Sequence, residues 1–177
     1  MQLETTIRTV TITMVLAAAV INVRLEGVMG EPNQKNEPRF TELSSEDKAQ
    51  LDKQRGLVAA AAKQKYGTPP LTKTKSDLVV LQRLIDDQVF NKTQTYELQS
   101  LGVAFGDVLA SEFPLRWVMV TDEYGTDPTL RYKTTTLQIN ALTMISKRIE
   151  RNERANLLEL LKITGQQLAH FEKDSHK

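Results

Sequence analysis

The chain has 177 residues and a mass of 20.0 kDa, enough for one ordinary domain with a hydrophobic core and too few for two comfortable ones. Lys+Arg of 23 against Asp+Glu of 22 leaves a formal charge of +1, so no global field draws the protein onto nucleic acid or an anionic membrane surface. There is no cysteine, which excludes disulfides, thiolate metal sites and a cysteine nucleophile, and the only histidines, His170 and His176, sit in a polar C-terminal tail that is a poor place to assemble a catalytic triad or a metal site.

In chain order, Val10–Val23 (VTITMVLAAAVINV) is the most apolar run, preceded by Arg8 and followed by the polar EPNQKNEPRF. That is the outline of an export signal. The run is shorter than the roughly 20 residues of a spanning helix, so a cleavable signal is expected in place of a stable transmembrane span. Ala17-Ala18-Ala19 offers small residues for cleavage, although a cut there leaves a short apolar stretch and Glu4 dilutes the basic start. The same residues carry a second reading as strands, because Val10, Ile12, Met14 and Leu16 alternate with threonines, and Ile21, Val23 and Leu25 alternate again with the opposite parity. The expected layout is an apolar segment at 1–26, a polar linker at 27–43 containing Pro32 and Pro38, and a folded domain at 44–177.

From Phe40 onward the pattern is mostly helical. Ser44 or Ser45, followed by Glu46 and Asp47, is a start signal, since a serine oxygen accepts from free backbone N–H groups and acids suit the positive helix end. A first helix to about Lys65 turns Leu51, Leu57, Val58 and Ala62 inward, and Gly67-Thr68-Pro69-Pro70 stops it. Ser76-Asp77 is expected to cap a second helix with Leu78, Leu81, Ile85 and Val89 at the 3.6-residue period. A third, Thr95 to about Phe113, carries Leu98, Leu101, Phe105 and Leu109 on one stripe. Gly102 and Gly106 share one face of it and predict a close backbone crossing rather than a phosphate loop, the rest of whose signature is missing.

Pro114 ends that helix. Leu115, Trp117 and Val120 are strand-like, Tyr124-Gly125-Thr126-Asp127-Pro128 is turn chemistry, and Thr129–Ile139 is a second β-rich run, which together predict an antiparallel hairpin. Asn140 is placed to cap a further helix with Leu142, Ile145 and Ile149 inward and Lys147, Arg148, Arg151 and Arg154 on a basic outer surface. Residues 157–171 predict a last amphipathic helix, interrupted only by Gly165. Helices, hairpin, helices is the order of a single α+β domain with helices packed on a small antiparallel sheet.

Four stretches resemble a bacterial family known as domain of unknown function 3806: Asp77-Leu78 with Leu81-Gln82; Leu98-Gln99-x-Leu101-Gly102-x-x-x-Gly106-Asp107; Arg116-Trp117-Val118-x-Val120-x-Asp122-x-x-Gly125; and Leu142-Thr143-Met144-Ile145-x-Lys147-Arg148-Ile149-Glu150. The likeness spans roughly residues 45 to 160 and leaves the first forty outside it. It implies a bacterial α+β domain and brings no catalytic residues with it.

Asp122, Glu123 and Asp127 near Arg116 and Arg131 are the one place where carboxylates of different environment are set to divide acid and base roles. On a strand, however, Asp122 and Glu123 point to opposite faces, and the spacing misses the calcium-loop pattern. A hairpin corner with Trp117 in the core is the preferred reading. No catalytic set, metal site or cofactor is assigned; the candidate binding residues are Arg116, Asp122, Arg131 and Arg148. The expectation is a non-enzymatic binding or interaction module, periplasmic or secreted, holding an unknown protein or small ligand. A carboxylate-dependent hydrolase or lyase with a site near the 116–131 hairpin, and a cytoplasmic structural subunit, stand as alternatives.

Overall fold

The computed structural model describes residues 38–175. The apolar run at Val10–Val23, the 1–26 segment and most of the 27–43 linker lie outside the described residues. The described chain is a single α+β domain built around one helix, α3 (Thr95–Glu112), in which every residue from Ser100 to Leu109 is buried. A helix buried on all sides needs neighbours on all sides. They are α1 (Ser45–Tyr66), α2 (Leu78–Asp86), the short α4 (Ala141–Met144) and α5 (Ser146–Glu150), and the sheet, while α6 (Leu157–Ser175) packs on α2.

The sheet has four antiparallel strands in sequence order: β1 (Arg39–Thr41), β2 (Leu115–Asp122), β3 (Gly125–Tyr132) and β4 (Gln138–Ile139). The β2–β3 hairpin pairs Trp117 with Leu130, Arg116 with Arg131 and Asp122 with Gly125. Leu115, Trp117, Leu130 and Tyr132 join the helical core. By alternation, Arg116, Val118 and Val120 face the other way, beside Phe40, which pairs with Val120.

Several local expectations hold. Ser44 and Asp47 form a reciprocal capping box, with Ser44 Oγ accepting from Asp47 N at 3.1 Å and Asp47 accepting from Ser44 N at 3.0 Å. Gly67 ends α1 in the left-handed region, at φ 65°. Gly102 and Gly106 mark close crossings: a Cβ on Gly102 would run into the backbone carbonyls of Ala141 and Leu142, and one on Gly106 into the indole of Trp117.

Others differ. Asp77 makes no capping bond to α2; its carboxylate reaches backward instead, to Thr72 and Lys73. Helix α2 ends at Asp86, so Val89 lies beyond it, past Gln88 at φ 49°. The strand of the hairpin's second arm begins at Gly125, and Pro128 sits within it opposite Met119. That is tolerated because β4 reaches only Leu130 and Arg131, leaving Pro128 no second neighbour that needs its absent N–H. The run Thr129–Ile139 is not one strand: the chain turns at Lys133, φ 50°, where Thr135 Oγ1 donates to Tyr132 O and accepts from Leu137 N, and β4 folds back. Asn140 makes no capping bond, and the helix after it breaks at Ile145 into two short pieces. Gly165 does not interrupt α6; it faces the Phe113 ring. Arg39–Thr41, within the stretch read as linker, forms the edge strand β1.

Candidate functional site

Asp107 follows Gly106 on the buried helix α3, and its side chain is only 7% exposed. A carboxylate there demands partners. Arg55 of α1 supplies a two-pronged one, donating from Nε to Oδ2 at 2.6 Å and from Nη2 to Oδ1 at 2.7 Å. Trp117 of β2 adds its indole N–H to Oδ1 at 2.9 Å. Gly106 leaves room for the indole ring, so the glycine and the acid beside it act on one tryptophan. Arg55 also donates from Nη1 to Asp52 Oδ1 at 2.8 Å. Burial alone pulls the Arg55 guanidinium down, but the hydrogen bond and charge of Asp107, followed by those of Asp52, overcome this and push it up. One carboxylate thus ties α1, α3 and β2 together.

Beside this network lies a cavity of about 160 Å³ lined in part by Arg55, Gly56, Lys73, Ala104, Asp77 and Asp107. Asp77 is buried, and its oxygens accept from Thr72 N at 3.0 and 2.9 Å, Thr72 Oγ1 at 2.9 Å and Lys73 N at 2.7 Å. Both buried acids are therefore committed to holding the protein together. Among the described residues no group of His, Cys, Asp and Glu is placed to hold a metal ion.

The four residues singled out in the sequence fall into separate local arrangements. Arg116 and Arg131 are cross-strand neighbours on the outer sheet face. Arg116 is ion-paired with Glu42, whereas Arg131 donates to Thr135 O at 2.6 Å and Thr134 O at 2.7 Å and lies over the Phe40 ring at 4.4 Å. Asp122 stands at the hairpin tip, where Oδ1 accepts from Tyr124 N at 2.8 Å. Six residues of strand separate it from Arg116, about 20 Å at ~3.4 Å per residue, so the two do not share a pocket. Arg148 donates to Met144 O at 2.6 Å, one turn back, and lines a hollow of about 270 Å³ with Lys147, Arg151 and Glu153.

Two large apolar side chains stand exposed elsewhere. Val79 on α2 is 70% exposed and Leu158 on α6 is 62% exposed. Around them run two adjoining hollows of about 730 and 510 Å³, which share Lys75, Asn156 and Leu158. The sequence holds the signal for this groove in Leu78-Val79-Val80-Leu81 and in Leu157-Leu158, because consecutive apolar residues on a helix cannot all face one side. Arg55 carries no such signal; a lone arginine on an amphipathic helix reads as a solvated one. Asp107 does, as the one charge within the apolar stretch Leu101–Ala110.

Residues 77–160 match the family model described as Domain of unknown function (DUF3806). Over this stretch, a little under half of the chain, the sequence is similar to that family. Its match begins at Asp77 and takes in Asp107, Trp117, Val79 and Leu158, while Arg55 on α1 precedes it. A crystal structure at 1.50 Å resolution of a protein from Bacteroides thetaiotaomicron VPI-5482 is similar to this chain with a TM-score of 0.65 and 16% identity, over 75% of this chain and 49% of that one. The chain thus spans about half the length of that protein, and at this identity the likeness concerns the fold. No curated protein matches. No helix among the described residues is long and apolar enough to cross a membrane.

Proposed function

We propose that this protein is a bacterial, non-enzymatic interaction module, exported to the cell envelope, that holds its partner along the α2–α6 groove. The observation that carries the reading is the pair Val79 and Leu158, two large apolar side chains left mostly in water, Val79 lining one of the adjoining hollows and Leu158 lining both. Single exposed apolar residues are ordinary, but two that share a groove are characteristic of a surface that another molecule covers. The commitment of Asp77 and Asp107 to structural hydrogen bonds supports binding over acid–base chemistry. Export is supported by the apolar run Val10–Val23 behind Arg8.

The test places a photo-crosslinking residue at Val79, at Leu158 and, as a control, at Tyr124, which is 87% exposed at the hairpin tip. In fractionated native cells, discrete adducts are expected from positions 79 and 158 in the envelope fraction, with none from 124, on a chain whose intact mass lacks the N-terminal segment. Equal labelling at all three positions would remove the groove from the proposal. A full-length chain in the cytosol would remove export.

A further inference from the structure

We infer that the partner covering the α2–α6 groove is a second copy of this chain, joined about a two-fold axis; the inference rests on the groove being the interaction surface. The argument is one of charge. The rim of the two hollows carries three bases, Lys75, Arg154 and Lys162, and three acids, Asp86, Glu112 and Glu159. Among the described residues none of the six takes part in an ion pair. Arg83, a fourth base on the rim, keeps its charge while lying over the Tyr66 ring at 4.0 Å, so the rim is one charge from balance.

A rim of one sign selects a partner of the other sign, whereas a rim of balanced sign around an apolar centre is best matched by a surface of the same balance. A two-fold interface sets a patch against itself, so that residue i meets j and j meets i, and every base on one copy has an acid on the other within the same patch. Val79 and Leu158 of each copy then supply the apolar centre, where aliphatic side chains lose water on both sides. With a formal charge of +1, two copies approach with little net repulsion.

The absence of cysteine and the balance of the rim both make the test clean. Sedimentation of the protein as recovered from the envelope fraction is expected to show a species of twice its own protomer mass, with Leu158→Glu raising its dissociation constant at least about tenfold while circular dichroism stays unchanged. Two further variants test the rim itself. An acid-rim chain (Lys75→Glu, Arg154→Glu, Lys162→Glu) and a base-rim chain (Asp86→Lys, Glu112→Lys, Glu159→Lys) should each remain monomeric yet pair when mixed, and Leu158→Cys in both should report that pairing as a covalent dimer on treatment with a bifunctional thiol reagent.

A dimer that survives Leu158→Glu and both rim reversals uses another face and overturns the inference. A wild-type chain that stays monomeric at high concentration also overturns it; if position 158 then still crosslinks to a different envelope protein, the interaction-module reading stands alone, and if it crosslinks to nothing, both fall.

Discussion

The indole N–H of Trp117 meets Asp107 Oδ1 at 2.9 Å, and the same carboxylate is gripped from the other side by Arg55. An acid in the middle of the central helix thereby sets the position of a strand and of a second helix at once. Asp107→Ala leaves Arg55, whose side chain is 18% exposed, with Asp52 and solvent for company, so the loss should sit at the low end for a broken buried pair, about 3 kcal/mol. Trp117→Phe keeps most of the ring and removes one hydrogen bond, at about 1 kcal/mol. Urea unfolding of the two single variants and the double variant should give a sum that exceeds the double by several tenths of a kcal/mol or more, since both act on one carboxylate. Additive losses would mean that the indole bond contributes nothing.

The glycines of the helices should respond with different signs. A methyl on Gly102 meets backbone carbonyls of Ala141 and Leu142, which cannot turn aside, so Gly102→Ala is expected to cost about 2 to 4 kcal/mol by forcing α4 away from α3. A methyl on Gly56 meets nothing within 4 Å, and the residue lies mid-helix, so Gly56→Ala should stabilise by about 0.5 to 1 kcal/mol through helix propensity alone. Thermal midpoints moving in opposite directions confirm the assignment; a destabilised Gly56→Ala would refute it.

The elements that could be read in the sequence are those whose reasons are local. The Ser44–Asp47 box, the stripe of α3 and the hairpin all follow from residues within a few positions of each other, and Gly102 and Gly106 announced a crossing without saying with what. The elements that were not legible are set by distant partners. Arg39–Thr41 is a strand only because β2 offers its edge, and Thr129–Ile139 divides in two because Lys133 takes a left-handed turn that its own side chain does not advertise. Arg116 and Arg131 were legible as residues of one hairpin, but their cross-strand pairing and their engagement with Glu42 and with the 134–135 carbonyls depend on the folded loop and strands around them. The runs Leu78–Leu81 and Leu157-Leu158 signal exposed apolar side chains, but that Val79 and Leu158 border adjoining hollows depends on α2 lying beside α6.

Alkaline titration tests the surroundings of Tyr66. Its phenol is pushed above the ordinary 10.0 first by burial and then by the hydrogen bond it donates to Asp87 Oδ2 at 2.8 Å, with the charge of Asp87 adding and that of Arg83 opposing. Because the folded value is the higher one, the protonated phenol favours the fold. Its contribution is present in full below about 10.0 and is lost as pH rises through the folded value. In a Tyr124→Phe background, which removes a second tyrosine pushed upward by Glu123, the phenolate absorbance assigned to Tyr66 by its loss in Tyr66→Phe should move to lower pH in Asp87→Asn. An unchanged midpoint in that variant would remove Asp87 as a cause of the shift.

Asp77 separates two physical roles that the same residue type can play. As a helix cap it would protect the first amides of α2; as the structure places it, its oxygens hold Thr72 N and Lys73 N of the preceding loop, with Lys73 at φ 60°. Asp77→Ala should therefore cost about 1 to 3 kcal/mol, since a buried acceptor is lost and two backbone donors and the Thr72 hydroxyl lose their partner. Native-state hydrogen exchange distinguishes the roles more sharply than stability does. Exchange should accelerate at Thr72 and Lys73 while the amides of Val79 and Val80 keep their wild-type rates, because no side-chain bond from Asp77 reaches them. Acceleration confined to Val79 and Val80 would restore Asp77 to the helix terminus and leave the 72–73 turn held by the Thr72, Thr74 and Ser76 hydroxyls alone.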